Sequence, residues 1–182
     1  TEQFGHGVIM LQDNLALDTQ AVWKQNLERL MSNIKKIAVG DNFVMALDFD
    51  GHLWTWGVNN YGQLGQGLVT SVQLNTPQMI QSFVNNGLLV TDISVGGSGV
   101  DEFALAITDT MDVYGWGKNY NGQIKSGSAG YILSPIYTGV SRAIAIAGGR
   151  NATAILLQNQ AEYMLGDITA VLNTVQVSFL QV

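Results

Sequence analysis

Three segments of the chain repeat one pattern, and this repetition limits the folds open to the chain more than any other feature of the sequence. The segments cover residues 34–67, 90–127 and 141–167. A glycine marks a corresponding position in each of them: Gly40, Gly96 and Gly148. A period of about 50 residues is typical of a supersecondary unit that must stack on its neighbours to bury its apolar face. The sequence therefore predicts a repeat protein.

Each repeat has the same internal order of strands and turns. A short apolar strand ends in glycine, a second apolar strand such as FVMAL, EFALAI or ATAILL follows, and a turn leads to a third strand such as HLWTWG, DVYGWG or EYMLGD. Asp50-Gly51 favours a tight hairpin turn, because glycine adopts the positive φ angle that such a turn requires. Pro77 and Pro135 stand alike between repeats, where a residue without an N–H group can begin an edge strand. The pattern predicts a hairpin with one more strand in front of it.

A motif rich in tryptophan, glycine and asparagine closes the first two repeats. It reads WGVNNYGQLGQG in the first and WGKNYNGQIKSG in the second. The motif resembles the regulator of chromosome condensation family of β-propeller repeats, in which Trp-Gly is followed by Asn and then by Gly-Gln-Leu-Gly. The second repeat carries Ile124 and Lys125 where Leu and Gly are usual, and the third has only Leu165-Gly166. The resemblance covers residues 34–167.

The resemblance implies a mainly β fold, an incomplete β-propeller of three to four blades with one N-terminal helix. In a blade of four antiparallel strands, large side chains wedge between neighbouring sheets, and burying each contributes roughly 1.5 to 3 kcal/mol. Glycines let the backbone pass closely or supply the turn that leads out of the blade. The residues that we expect to have these structural roles are Trp56, Gly57, Gly62, Gly65, Trp116 and Gly117.

The beginning of the chain departs from the repeat. We therefore divide the chain into an N-terminal segment, residues 1–33, and a propeller-repeat domain, residues 34–182. Apolar residues at helical spacing over residues 18–34 predict an amphipathic helix, with a degenerate blade as the alternative. Residues 5–17 fit a degenerate hairpin, and residues 168–182 alternate well enough for one or two more strands.

The chain carries too few repeats to close the ring of seven blades that is usual in this family. An open propeller leaves sheet faces and strand edges exposed, and exposed edges pair with other chains unless something covers them. A second copy, the N-terminal helix and a larger assembly are the candidates for this cover. We therefore expect a protein partner, through self-association or docking on a larger assembly.

Charge and composition restrict the partners and the location. The formal net charge is −6 and the basic residues are not clustered, so nucleic acid is not an expected partner. No apolar run approaches the roughly 20 residues of a membrane helix, so we expect no membrane insertion. The N-terminal residues show no secretory signal pattern, which leaves the virion or the cytoplasm as the expected location.

Motifs that suggest chemistry are better explained as turns. GQLGQG over residues 62–67 lacks the lysine of a phosphate loop and follows a strand instead of opening a helix. DFDG over residues 48–51 begins like a calcium loop, but the later ligands are missing. His6 and His52 are the only histidines, and their spacing suggests neither a catalytic triad nor a metal site. Without cysteine there is no thiolate either, so we expect no enzyme, no cofactor and no bound metal.

Two tyrosines and their flanking asparagines are the candidate binding residues. Tyr61 and Tyr120 lie shortly after the Trp-Gly pairs, five residues after Trp56 and four after Trp116, and tyrosine beside amides can hold protein or carbohydrate by stacking and hydrogen bonds. The alternative is that asparagine forms turns and tyrosine caps the blade. Ser98 and Asp101 lie in a loop longer than its counterpart in the first repeat, where a propeller presents binding residues. The flanking asparagines are Asn59, Asn60, Asn119 and Asn121.

Together these features predict a non-enzymatic structural or interaction protein that oligomerises or docks on a larger assembly. Asparagine and glutamine together outnumber the charged residues, and this amide-rich composition with an incomplete ring favours a bacteriophage virion component, such as a tail, fibre or capsid-decorating subunit. The family resemblance implies an alternative, a regulator that grips a partner protein, either as an exchange factor for a small GTPase or as an enzyme inhibitor.

Overall fold

The structure is a computed structural model, and it describes residues 9–10, 16–17, 32–99, 101–128 and 130–168. The chain divides into two compact units, residues 1–34 and residues 35–182. In the first unit, β1 (Ile9–Met10) pairs antiparallel with β2 (Ala16–Leu17), as the hairpin prediction for that segment requires.

Three antiparallel sheets make up the rest of the described chain, and they are the blades of an incomplete propeller. Blade 1 has four strands in sequential order: β3 (Ile34–Val39), β4 (Phe43–Asp48), β5 (Leu53–Asn59) and β6 (Thr70–Met79). Blade 2 repeats this order with β7 (Val90–Gly96), β8 (Phe103–Thr108), β9 (Val113–Lys118) and β10 (Tyr131–Tyr137). Blade 3 has three described strands: β11 (Ala143–Gly148), β12 (Ala152–Leu157) and β13 (Glu162–Gly166). The predicted fold class, mainly β with an incomplete propeller, is confirmed.

All three blades share one register. In each, the second strand pairs antiparallel with the third from a corresponding position: Phe43 opposite Gly57, Phe103 opposite Gly117, and Ala152 opposite Gly166. Because side chains alternate along a strand, each blade directs one set of residues towards the preceding blade and the other set towards the following blade. The repeats found in the sequence are therefore the blades of the structure.

Burial along the strands reflects the position of each blade. Every residue of β8 is buried, because blade 2 has a neighbour on both faces. In β5 of blade 1, buried and half-buried residues alternate strictly, because only one face packs on blade 2. The resulting core is one apolar cluster that draws on all three blades and includes Met45, Leu47, Phe103, Leu105, Trp116 and Ile155.

One short helix, α1 (Gln81–Asn85), connects blade 1 to blade 2, and sequence reasoning did not predict it. Its buried residue Phe83 packs edge-on against Tyr114, at 5.5 Å between ring centroids, and against Trp116, at 6.0 Å. The helix therefore packs on the third strand of blade 2, next to Trp116. No helix within the described ranges is long and apolar enough to span a membrane.

Several sequence expectations concern the ends of the chain and the edges of the sheets. The helix predicted over residues 18–34 lies outside the described residues except at its end, where Ile34 already begins β3. The strands predicted over residues 168–182 also lie outside them, apart from residue 168. Pro77 and Pro135 lie within β6 and β10, the outermost strands of their blades, so neither proline removes a donor from the inside of a sheet.

Candidate functional site

The motif loop of blade 1 is closed by the side chain of Asn59. This residue is fully buried, and its amide Nδ2 donates to the carbonyl of Leu68 at 2.8 Å while its Oδ1 accepts from the N–H of Leu64 at 3.1 Å. Gln63 adds a second closure, since its Oε1 accepts from the N–H of Tyr61 at 2.9 Å. These bonds replace the backbone pairing that a loop lacks. They fix the path of the loop and thereby the position of Tyr61.

The motif loop of blade 2 is closed in the same way. Asn119 Nδ2 donates to the carbonyl of Lys125 at 2.8 Å, and its Oδ1 accepts from the N–H of Ile124 at 2.9 Å. Gln123 Oε1 accepts from the N–H of Asn121 at 3.0 Å. Asn119 is only 2% exposed, so both of the asparagines that follow Trp-Gly bond within their loops rather than facing a ligand. We therefore do not retain Asn59 and Asn119 as binding residues.

Hydrogen bonds from one blade to the loop of the blade before it join the repeats. Trp116 is fully buried, and its indole Nε1 donates to the carbonyl of Gln63 at 2.9 Å. In blade 3, the residue at the position of Trp116 is Leu165, and Thr153 on the paired strand donates instead, from Oγ1 to the carbonyl of Gln123 at 2.6 Å. At both blade boundaries the acceptor is therefore the backbone carbonyl of a motif glutamine, whereas the donor is a tryptophan in blade 2 and a threonine in blade 3.

Glycine is required where these loops approach a neighbouring blade. At Gly65, an added Cβ would lie 2.8 Å from Trp116 Nε1, and the φ angle of +67° is unfavourable for other residues. Gly57 and Gly117 have positive φ angles and touch the backbone of the paired strand, and Gly62 packs on Leu133. The glycines of the motif thus take part in turns and close packing, as a turn interpretation of GQLGQG requires.

The face of blade 1 that points away from blade 2 is partly open. Trp56 occupies the position of Trp116 but is only half-buried, and its indole N–H has no acceptor in the part of the chain that the structure describes. Together with Val44 and Val58 it lines a shallow pocket of about 300 Å³. Trp56 therefore does not wedge between two described blades, as the sequence analysis expected, although Trp116 does.

A cluster of three tyrosine rings lies at one end of blades 1 and 2. Tyr61 stacks on Tyr131, with ring centroids 5.0 Å apart and planes inclined by 23°. Tyr120 meets the same ring edge-on, also at 5.0 Å, with an interplanar angle of 81°. The two tyrosines that the sequence singled out are thus joined by a third, Tyr131, which begins β10 and which sequence reasoning missed. Nothing in the repeat motif marks Tyr131, because it comes from the strand after the loop.

Much of this cluster faces solvent. Tyr120 is 63% exposed and Tyr131 is 36% exposed, whereas Tyr61 is half-buried beneath the stack. Asn60 and Asn121, beside the tyrosines, are exposed as well. The arrangement is an ordered aromatic platform with amides at its border.

A charged pair continues the cluster towards the loop between β7 and β8. Lys118 Nζ lies 2.5 Å from Asp101 Oδ2 and 5.8 Å from the centroid of the Tyr120 ring. The side chain of Asp101 is 50% exposed, whereas that of Lys118 is only 13% exposed. We call Tyr61, Tyr120, Tyr131, Lys118 and Asp101 the tyrosine rim.

The enlarged loop of blade 2 is attached to blade 1 next to the tyrosine rim. The N–H of Gly99 donates to Asp41 Oδ2, and Asn42 Nδ2 donates to the carbonyl of Gly99, both at 2.5 Å. The predicted binding residue Ser98 is exposed within this loop, and its carbonyl accepts from the N–H of Asp101 at 3.1 Å. The structure thus brings Asp101 to the tyrosines through Lys118, while no described contact joins the Ser98 side chain to them.

Two groups near the rim have shifted acidities. A hydrogen bond with Tyr120, followed by burial, raises the pKa of Tyr131 to about 12, so this phenol stays neutral at physiological pH. Burial raises the pKa of Glu102 above its usual value, although the N–H of Asn42 donates to its Oε1 at 3.2 Å. Glu102 is 1% exposed and its Oε2 lacks a hydrogen-bond partner among the described residues.

A carboxylate and histidine cluster at the hairpin turn of blade 1 has the composition of a metal site. Ligand atoms of Asp48, Asp50 and His52 lie within 4.8 Å of one another. Asp48 is nearly buried, and its Oδ1 accepts from the N–H groups of Asp50 and His52 while its Oδ2 accepts from Trp54 Nε1 at 3.0 Å. Both carboxylate oxygens thus stabilise the turn, which agrees with the turn interpretation of DFDG.

Two protein-family models match the repeat region of the chain. A family model described as the regulator of chromosome condensation (RCC1) repeat matches residues 50–100, and a second model of the same description matches residues 34–63. Both matches lie in the segment where the repeat and its motif were found in the sequence.

Curated relatives match larger parts of the chain. Human E3 ubiquitin-protein ligase HERC2 is 35% identical over 105 residues, which is 57% of this chain and 2% of HERC2. The ultraviolet-B receptor UVR8 of Arabidopsis thaliana is 32% identical over 136 residues, which is 73% of this chain and 29% of UVR8. The chain spans less than a third of the length of these relatives.

Solved structures show a similar fold. Human WBSCR16 superposes with a TM-score of 0.63 at 20% identity, over 73% of this chain and 33% of that chain. Prp20p of Saccharomyces cerevisiae superposes with a TM-score of 0.61 at 22% identity, over 74% of this chain and 33% of that chain.

Proposed function

Because RCC1 repeat models match residues 34–63 and 50–100 of this chain, we propose that it is a partner-binding protein that contacts another protein through its tyrosine rim. The observation that carries the proposal is the ordered cluster of Tyr61, Tyr131 and Tyr120, exposed at one end of two adjacent blades. Tyrosine is enriched at protein interfaces, because its ring offers a large amphipathic contact area at a low cost in conformational entropy. The proposal corresponds to the regulator alternative of the sequence analysis rather than to its first interpretation.

Order within the cluster supports a binding role. Rings that already contact one another lose little side-chain entropy when a partner covers them. The loop closures by Asn59 and Asn119 hold Tyr61 and Tyr120 in place before any partner arrives. A surface prepared in this way favours affinity, because the cost of ordering side chains and loops has been met during folding.

Similar proteins support the same proposal at the level of partner class. The yeast protein Prp20p is described by its binding to Gsp1p and histones, and yeast RCC1 has been solved bound to Kap60. These partners are proteins, and we transfer only this class to the present chain. Two of the similar proteins, HERC2 and HERC3, are named as an E3 ligase and a probable E3 ligase, and this chain covers only a small part of each. That this chain is not an enzyme therefore stays a prediction.

Site-specific photo-crosslinking tests the proposal. A photo-reactive phenylalanine analogue replaces Tyr120 in the full chain, which is expressed in its source cells and irradiated. Tyr163 is the matched control, because it is 46% exposed but lies in blade 3, outside the rim. We expect a discrete protein adduct from position 120 and none from position 163. Equal adducts from both positions, adducts with this chain alone, or no adduct from position 120 would contradict the proposal.

Self-association through the open face of blade 1 is a second candidate function. The observation that favours it is Trp56, which occupies the position of Trp116 without an acceptor in the described chain. Light scattering at several concentrations tests it, since association through this face predicts a multimer that Trp56→Ser reduces to a monomer. A wild-type monomer at all concentrations would exclude it. The virion context stays a prediction, because the relatives named above give it no support.

A further inference from the structure

We propose that the group recognised by the tyrosine rim is an arginine side chain in a basic segment of the partner. The inference rests on the proposed function, because it specifies the chemistry of the partner at the same surface. Three observations carry it: a cation already bound to a tyrosine ring, a carboxylate with an unused oxygen beside that ring, and the negative charge of the surroundings.

Lys118 shows that the rim accommodates a positive charge. Its ammonium group lies between the carboxylate of Asp101 and the ring of Tyr120, at 2.5 Å and 5.8 Å respectively. A cation within about 6 Å of a ring centroid is attracted by the negative charge density of the ring face. Lys118 is only 13% exposed and belongs to β9, so its position is fixed by the blade. More than half of the Tyr120 side chain remains exposed for a second cation.

Asp101 supplies an anionic oxygen beside the exposed ring. Its Oδ2 binds Lys118, whereas no partner of its Oδ1 is present among the described residues. The half-exposed position of the carboxylate leaves this oxygen open to solvent. A guanidinium group can stack on a tyrosine ring while one of its N–H groups donates to a carboxylate, because its donors lie in a rigid plane.

The charge around the rim favours a basic partner. Asp41 and Asp101 belong to the two loops joined at Gly99, and Lys118 is the basic residue paired with Asp101. The protein as a whole has a formal net charge of −6. An acidic surface attracts basic segments and repels acidic ones over a distance of about 10 Å at moderate salt.

Arginine fits the site better than lysine. Lysine is a strongly hydrated point charge, whereas the guanidinium is weakly hydrated and flat, so stacking on Tyr120 costs less desolvation. The neutral Tyr131 phenol adds a hydrogen-bonding hydroxyl beside this position without adding charge. A carbohydrate would stack on the same ring and donate hydroxyl hydrogen bonds to Asp101, but as a neutral ligand it would gain nothing from the net negative charge.

Calorimetric titration of the full chain with synthetic peptides tests the inference. The probe is a short glycine-arginine peptide, and the matched controls are the same peptide with citrulline, a neutral isostere of arginine, and with lysine. We expect the arginine peptide to bind about tenfold more tightly than the citrulline peptide, and more tightly than the lysine peptide. The difference should shrink at high salt, because part of the attraction is electrostatic.

Variants locate the binding. Tyr120→Leu and Asp101→Asn are each expected to weaken the binding of the arginine peptide several-fold, whereas Tyr163→Leu, outside the rim, is expected to retain affinity. Equal binding of the citrulline peptide, insensitivity to Tyr120→Leu, or tighter binding of a neutral oligosaccharide would overturn the inference. If crosslinking at position 120 yields a protein adduct but the titration shows no preference for the arginine peptide, the arginine inference is overturned and the proposed function stands.

Discussion

Trp116 in blade 2 donates its indole N–H to the backbone carbonyl of Gln63 in the motif loop of blade 1, at 2.9 Å. The contact joins two residues of the same repeat motif in successive copies, so the motif supplies both the donor and the acceptor of the blade boundary. Gly65 makes room for the ring, since its missing side chain would otherwise lie against the indole nitrogen. The contact therefore explains why tryptophan and glycine occur together in the motif.

Replacing Trp116 should weaken the boundary between blades 1 and 2. Trp116→Phe removes the donor, leaves the buried carbonyl of Gln63 without a partner and creates a small cavity, which together cost about 2 to 4 kcal/mol. The control Trp56→Phe changes a half-buried ring whose indole N–H has no acceptor among the described residues, and it should cost below about 1 kcal/mol. Urea unfolding followed by circular dichroism measures both, and equal losses would contradict the role assigned to Trp116.

Adding a methyl group at Gly65 should also disturb this contact. Gly65→Ala combines the strain of a positive φ angle with a clash against the Trp116 indole, and we expect a loss of about 2 to 4 kcal/mol. Gly127→Ala is the matched control, since Gly127 has a similar φ angle of +73° with nothing within 4 Å. It should show the strain alone, about 1 to 2 kcal/mol. Thermal unfolding of both variants separates clash from strain, and a larger loss at Gly127 would refute this assignment.

Asn119 is expected to matter for stability and Asn121 is not. Asn119→Ala removes the acceptor of two N–H groups in the loop of blade 2, that of the buried Ile124 and that of the half-buried Lys125, at a cost of about 2 to 3 kcal/mol. Asn121→Ala removes an exposed amide and should change stability by less than about 0.5 kcal/mol. Hydrogen exchange of the Ile124 amide offers a local readout. Unchanged protection of that amide in Asn119→Ala would show that the side chain does not hold the loop.

The pH dependence of stability should reveal Glu102. Burial raises the folded pKa of this group above its ordinary value of 4.5, so the folded state binds its proton more tightly than the unfolded state. Its contribution is fully present below pH 4.5 and decreases as the pH rises through the folded pKa. We expect Glu102→Gln to lose less stability than the wild type between pH 4.5 and neutrality, as measured by urea unfolding at a series of pH values. Parallel curves for the two proteins would contradict this prediction.

Much of the fold could be read from the sequence because its signals are local. The alternation of apolar residues, the Asp50-Gly51 turn and the Trp-Gly motif each depend on a few adjacent residues. Such signals predicted the first three strands of each repeat in their order, whereas the fourth strand, seen as β6 and β10, followed only from the family resemblance. They did not reveal α1, because five residues are too few to establish a helical period, and its stability comes from Phe83 packing on Tyr114 and Trp116.

Sequence reasoning identified some residues of the candidate site and missed others. Tyr61 and Tyr120 stood out because each follows a Trp-Gly pair and is flanked by asparagines. These asparagines differ in burial: Asn59 and Asn119 form hydrogen bonds inside their loops, while Asn60 and Asn121 face solvent. A motif shows which residue types recur but not the direction of each side chain, because direction depends on how the loop closes.

The sequence by itself determined the repeat, the first three strands of each repeat and the burial of Trp116 between blades, because these depend on motifs that recur along the chain. Only the tertiary structure decided that Tyr131 joins the two motif tyrosines, that Asp101 reaches them through Lys118, and that Thr153 replaces the tryptophan donor in blade 3. These contacts link residues from different strands and blades, and their partners are not repeated along the chain. Their distances are set by the packing of one blade on the next, which no local pattern encodes.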